Sequence, residues 1–462
     1  MLEQFRRKYI GDRNFYKSYI ALALPMILQN AVTNLVSFLD NIMVGQLGTE
    51  QMSGVAIVNQ LIFVYNLAIF GAVSAASIFG AQYFGKGNHK GHMYSFRFKL
   101  YAALTVTTLT ILLFVTKGEN LISLYLTDTS GSGATGAALQ YGLEYLIIMM
   151  AGLIPFAVNQ AYATNIKETG QTLLPMIASF VAVGSNAILD YLLIFGIGPF
   201  PELGVQGAAL ATVIARYIEA LMIIIWAHRH REKNRYLKGA YTGFGIPTDE
   251  LKAIIIKGLP LMMNEVLWAA GMTAVIQCYS IRGLEVVAGL NIATTITNLF
   301  NIIYLQLGAC ISIVVGQYLG AGKLEKAKDA DNKMIVFSVF CCVIVAVCML
   351  FIGRFFPQIY NTSEEIRALA TRFIAVSAII MPFCSFSHAS YFTLRSGGKT
   401  MVTFLFDSVF TWIIIVPIAF LLAHFTGLGI VSVYFLVQAT ELIKVVIGYF
   451  MVHSNVWLVQ MV

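Results

Sequence analysis

A chain of 462 residues that is 58% hydrophobic and only 11% charged is not a soluble domain, because such domains carry about 25% charged residues. Its net charge of +7 does not point to nucleic acid, since the basic residues fall between apolar runs in a pattern that membrane orientation explains. The six cysteines (278, 310, 341, 342, 348 and 384) all sit in apolar runs, with no CxxC pair and no histidine cluster, so they read as small buried side chains rather than as metal ligands or disulfides.

The N-terminal stretch MLEQFRRKYIGDRNFYKSY lacks the apolar core and small-residue cleavage site of a signal peptide, and reads as a retained, basic cytoplasmic segment. Apolar runs of bilayer-crossing length, about 20 residues, follow at 20–44, 53–79, 98–116, 140–161, 173–196, 205–227, 254–280, 286–315, 334–356, 370–394, 402–424 and 429–452. Lys and Arg cluster at the N-terminus (Arg6, Arg7, Lys8, Arg13, Lys17) and after the second run (Lys86, Lys90, Arg97, Lys99). They cluster again after the sixth (Arg229, Arg231, Lys233, Arg235, Lys238), the eighth (Lys323, Lys326, Lys328, Lys333) and the tenth (Arg395, Lys399). Alternate loops are poor in them, which predicts that both termini are cytoplasmic.

The chain repeats itself. LPMILQN at 24–30 resembles LPLMMNE at 259–265, and QYFGKG at 82–87 resembles QYLGAG at 317–322. GQT at 170–172 then meets GKT at 398–400. Two parallel halves of six helices follow: an N-terminal lobe over 1–227, a polar cytoplasmic linker over 228–253 and a C-terminal lobe over 254–462. Repeats of this kind place a transport path near the midplane between them.

The first run carries Asn30, Thr33, Ser37, Asp40 and Asn41 on one helical side. A charge at that depth costs roughly 3 kcal/mol unless it is paired, hydrated, protonated or bound to a cation, so Asp40 is the leading functional candidate. The hydroxyls and amides beside it fit helix packing equally well. In the fifth run Asn186 and Asp190 stand at i and i+4 on one face, and Thr212 in the sixth offers another oxygen. Two acids, an amide and a hydroxyl can hold Na⁺. A carboxyl in apolar surroundings can instead carry a proton. The halves differ here: Asp40 aligns with Val275 and Asp190 with Ile418, while the second half has its own acids, Glu265 and Asp407. Glu265 with Trp268 one turn on could receive an organic cation by charge and ring face. Asp407 could do the same, and Asn291, Thr294, Thr295, Asn298 and Asn301 form a polar stripe that could line a cavity. Arg216 with Glu219 and Glu441 with Lys444 are expected as structural i, i+3 ion pairs. His388 reads as a packed histidine, and no HExxH or GxSxG motif suggests an enzyme.

Pro25 with DNIMVGQLG, QYFGKGN, and NIKETGQTLLP followed by NAILD and GVQGAALAT together resemble the multidrug and toxic compound extrusion (MATE) family of bacteria, on its DinF-type side. The resemblance covers the whole chain. It implies an all-α membrane protein of twelve helices, in two six-helix lobes forming an outward-facing V. It implies antiport of organic cations or other amphiphiles against Na⁺ or H⁺, from a plasma-membrane monomer whose partners are a small molecule and lipid, without a cofactor. It places the coupling cation at Asp40, Asn186, Asp190 and Thr212. The alternative is a flippase for lipid-linked precursors, which would need a more basic central cavity than these acids suggest.

Overall fold

The computed structural model describes residues 8–126 and 134–462, and for Phe38, Ala134 and Thr135 the backbone alone. Arg6 and Arg7 of the N-terminal basic cluster lie outside the described residues. Among the described residues eleven helices are long and apolar enough to cross a membrane, and a bent pair taken as one span makes a twelfth. In order they are α1 (Arg13–Gly45), α2 (Thr49–Lys86), α3 (His89–Ser123), α4 in two arms (Ala134–Ala151 and Leu153–Glu168), α5 (Leu173–Phe195) and α6 (Gly204–Arg229). Then come α7 (Thr248–Ser280), α8 (Leu284–Gly320), α9 (Leu324–Ile352), α10 (Glu364–Ser396), α11 (Thr400–Phe425) and α12 (Ile430–His453). Among the described residues there is no strand. Leucines, valines and phenylalanines such as Leu112, Val115, Val347 and Phe351 stand exposed on the helices, as lipid-facing side chains do.

The helices outrun the apolar windows because their ends are polar but still helical. The start of α10 shows why: Ser363 accepts from the Ile366 amide at 3.4 Å, and Glu364 and Glu365 follow in the first turn, both favourable at a helix N-terminus. Arg97, expected in the loop before the third crossing, and Lys99, counted with that basic cluster at the start of the third run, lie inside α3 and are buried.

The 44° bend of α4 falls at Gly152. Pro155 explains it, since proline has no N–H for the carbonyl four residues back and its ring crowds that turn. The loosened carbonyls find side-chain donors. Tyr217 reaches Ala151 O at 3.4 Å, Arg216 Nη1 reaches Gly152 O at 3.3 Å, and Tyr65 Oη reaches Leu153 O at 2.9 Å. Arg216 also lies over the Phe156 ring, 5.1 Å from its centre. It is therefore committed to the bend, and Glu219 accepts instead from Ser179, to which Gln29 donates at 2.7 Å. The expected Arg216–Glu219 ion pair does not form.

The chain divides into two compact units, one of residues 28–80 and 89–252, the other of residues 8–27, 81–88 and 253–462. The first is cored by Val58, Tyr65, Ile69, Leu153, Ile194 and Val213, with a second cluster around Phe96, Tyr162, Ile223 and Tyr236. In it α5 and α6 form a tight hairpin. Gly196 takes the left-handed conformation that ends α5 (φ 65°), and a Cβ on Gly207 would lie 2.6 Å from the Leu193 carbonyl. The linker is strapped to this unit by Arg97, which donates to the carbonyls of Gly239, Ala240 and Gly245 at 2.6, 2.9 and 2.7 Å.

In the second unit the two QYxG motifs cross. A Cβ on Gly85 would collide with the Gln317 carbonyl, and one on Gly320 with the Gln82 carbonyl. Gln82 also ties down the C-terminal residues, accepting from the Met461 amide at 2.8 Å and donating to Ser396 O at 2.9 Å and Val459 O at 3.2 Å. Arg282 caps the end of α11 through the carbonyls of Ala423 and Leu422, at 2.7 and 3.1 Å, and reaches Thr426 O at 2.5 Å. Of the cysteines, Cys278, Cys310 and Cys342 are buried as expected, but Cys348 is exposed.

Candidate functional site

Asp40 and Asp190 come together in the first unit. α1 delivers Asp40, which is half-buried. α5 delivers Asp190, 1% exposed, with Asn186 one turn earlier and 6% exposed. The Asp40 and Asp190 carboxyls are close neighbours within electrostatic reach of one another, with Asn186 beside Asp190. Both oxygens of Asp190, one of Asp40 and the Asn186 amide nitrogen are buried without a fixed donor or acceptor. Neither carboxylate forms an ion pair among the described residues. Two like charges at that separation in an apolar setting repel strongly unless a proton or a metal ion lies between them. The arrangement therefore fits a small cation held by hard oxygens. Tyr145, buried and donating to Asn59 Oδ1 at 3.3 Å, is within electrostatic reach of both acids and of Arg216. Thr212 is half-buried on α6 and makes no hydrogen bond to the acids among the described residues. Along α1, Thr33 and Ser37 donate to the carbonyls one turn back, at 2.9 and 3.1 Å, so these hydroxyls serve their own helix.

The second unit carries the other candidates, on α7, α8 and α11, with Lys444 and Glu441 on α12. Asp407 is an ion-pair partner: Lys444 Nζ lies 3.0 Å from Oδ1, and Asn264 Nδ2 donates to Oδ2 at 3.1 Å. Lys444 thus pairs with Asp407 rather than with Glu441 on its own helix, and Glu441 Oε1 is buried without a partner. α11 widens around this point into π-helical turns at Leu405–Val409 and Thr411–Ile415, before Pro417, which cannot donate into the helix. Ser408 donates to Asn264 Oδ1 at 2.7 Å, and Trp412 Nε1 to Leu267 O at 2.8 Å, fixing α11 to α7. Glu265 is half-buried and within electrostatic reach of Arg395 and Asp407. Trp268 is 38% exposed. Asn291 and Asn298 are exposed on α8, and Thr294 and Thr295 donate to their own helix. His388 packs on Tyr304, ring centres 4.8 Å apart.

One polar cluster escapes a reading of the sequence. Lys99, wholly buried, donates at 2.5 Å to both Glu168 Oε1 and Asn165 Oδ1, and His92 Nε2 lies 3.4 Å from Glu168 Oε2. A lysine near an apolar boundary looks like a loop charge. Its signal is the acid in NIKETG, a carboxylate at the opposite apolar boundary.

The MatE family model matches residues 25–192 and 260–421. The "Probable multidrug resistance protein NorM" of Thermotoga maritima is 24% identical over 90% of this chain and 87% of its own. The "Probable multidrug resistance protein YoeA" of Bacillus subtilis is 22% identical over 91% and 89%. Among solved structures, a MATE crystal structure in the bent conformation superposes with a TM-score of 0.85 at 20% identity, over 98% of this chain and 96% of that one. A MOP superfamily transporter from Pyrococcus furiosus, whose pocket is described as reversed in polarity, superposes at 0.83 with 21% identity, over 96% of each chain.

Proposed function

Since the chain belongs to the MatE family of membrane transporters, and the relatives above bear multidrug-resistance names, we propose that it exports organic cations or other amphiphiles by cation-coupled antiport. The observation that carries this reading is the Asp40–Asp190 pair: two neighbouring acids with buried, unpartnered oxygens and, among the described residues, no ion pair to a base, in a membrane protein. The coupling ion is a proton or Na⁺, held by Asp40 and Asp190 with Asn186 and Thr212 as the neutral oxygen donors. Asp40, the more open of the two, receives the ion, and Asp190 stores it. Filling the site removes the repulsion between the acids and lets α1, α5 and α6 close on one another. Substrate is released, and cytoplasmic substrate later competes with the ion for the emptied carrier. The N-terminal lobe (1–227) thus does the coupling, and the C-terminal lobe (254–462) supplies recognition, with Glu265 and Trp268 its open acid and ring. The protein works as a monomer in the plasma membrane with both termini cytoplasmic.

The flippase reading is not favoured. Around the two polar clusters the acids Asp40, Asp190, Glu265, Asp407 and Glu441 outnumber Arg216, Arg395 and Lys444, and the first and last of these bases already hold partners. The test is efflux of a fluorescent cation from proteoliposomes with Na⁺ and pH gradients imposed separately. With one ion exchanged per substrate cation and no membrane potential, a tenfold ion gradient supplies about 1.4 kcal/mol and supports about tenfold substrate accumulation. Asp40→Asn should insert normally and accumulate none. Accumulation at the wild-type level in that variant would remove Asp40 from the mechanism.

A further inference from the structure

The Lys444 ammonium sits in a setting that chemistry reserves for recognising organic cations. It lies 3.0 Å from the Asp407 carboxylate and over two aromatic faces, 5.4 Å from the centre of Phe406 and 6.0 Å from that of Phe410. A carboxylate with aromatic walls is what binds a substituted ammonium ligand. The π-helical turn at Leu405–Val409 presents Phe406, Asp407 and, one residue past its end, Phe410 together. The two ends of the pair differ in access: the Lys444 side chain is 6% exposed and that of Asp407 16%, so a ligand approaches Asp407 first.

The charges nearby do not balance. Asp407 and Glu441 are two carboxylates, Lys444 is one ammonium, and one Glu441 oxygen is buried with nothing to accept from. Glu441 lies one turn from Lys444 on α12, within reach for an i, i+3 pair. The remaining groups do not settle the deficit. His388 is tied through Nδ1 to the Cys384 carbonyl at 3.0 Å, and Arg395 and Glu265 face one another electrostatically.

We infer that the Asp407–Phe406–Phe410 cage is a binding site for an organic ammonium ion, occupied at rest by the protein's own Lys444, which moves to Glu441 when the ligand enters. One incoming monocation completes the count, leaving ligand paired with Asp407 and lysine with Glu441. This extends the recognition assigned to Glu265 and Trp268 to a second carboxylate within electrostatic reach of Glu265, and so rests on the export reading above. Its chemistry requires no ion gradient.

The test uses full-length protein in lipid nanodiscs, without Na⁺ and at one pH, titrated with ethidium by fluorescence. Glu441→Gln keeps the observed Asp407–Lys444 bond and so folds as the wild type does; it removes the lysine's second seat, and should bind ethidium about tenfold more weakly, the effect of losing about 1.4 kcal/mol. Lys444→Met empties the cage and should bind at least as many times more tightly, while Asp407→Asn abolishes saturable binding. Size-exclusion profiles check the last two. Unchanged affinity in Glu441→Gln, or no saturable ethidium binding by the wild type, overturns the cage. The export reading fails separately: Asp40→Asn leaves ethidium binding intact, and only its gradient-driven efflux bears on coupling.

Discussion

Replacing Lys99 by Met should destabilise the protein severely, and replacing Glu168 by Ser in the same molecule should restore most of the loss. In the single variant Glu168 keeps its charge at 2% exposure and loses a 2.5 Å partner. Breaking a buried pair from one side typically costs about 3–5 kcal/mol, because the surviving charge is left uncompensated. The internal repeat supplies the remedy. With the offset of the QYxG motifs, Lys99 aligns with Met334, and with that of the GQT and GKT motifs, Glu168 aligns with Ser396. Both counterparts are buried, at 0% and 1% exposure, so the same helical framework already accepts an uncharged pair there. The double variant then loses neutral hydrogen bonds such as that to Asn165 and the His92 contact, about 1–2 kcal/mol, with no charge left buried alone. Heat challenge in detergent followed by size exclusion reads the difference. A double variant as unstable as the single one would refute the argument, since the damage would then come from packing and not from stranded charge.

Three further outcomes follow from the same geometry. Arg97→Ala removes the donor from three linker carbonyls and should make residues 238–247 markedly more sensitive to protease, with the transmembrane region still protected; unchanged cleavage would mean that packing alone holds the linker. Gly320→Ala pushes a methyl into the Gln82 carbonyl and should cost about 1–3 kcal/mol as an overpacked contact, whereas Gly136→Ala, with open space around it, should cost almost nothing in the same melt. Arg216→Met should remove the side-chain donor to the Gly152 carbonyl, leaving it only the Phe156 amide at 3.3 Å, and cost about 1 kcal/mol; Glu219→Gln should cost far less if the two residues are not partners, and equal losses would restore the ion pair.

Twelve crossings were legible because apolar length is a coarse signal and bilayer thickness sets it. The bend was half legible: Pro155 is visible in the sequence, but the break at Gly152 depends on three donors from α2 and α6. Asp40 and Asp190 could be singled out one by one, since an intramembrane acid is rare in any context. That they face one another depends on how α1 meets α5, which periodicity does not encode. The i, i+3 rule misled at both Arg216 and Lys444. Spacing along one helix names a neighbour within reach, but in an apolar interior a cation goes to whatever acceptor is least satisfied, here a bent helix's carbonyl and an acid on α11. Arg97 and Lys99 were misread for a related reason, because charge counting treats a basic residue near a boundary as wet.

The crossing of the two QYxG motifs has a bearing on how this sequence can vary. Each glycine lies against the backbone of the other copy's glutamine, so the two stretches form a lock in which each is the other's keyway. Neither can acquire bulk alone. Related sequences should therefore keep both glycines together or lose them together with a matching shift of the partner segment, and the C-terminal residues gripped by Gln82 should be read as part of that lock and not as a dispensable tail.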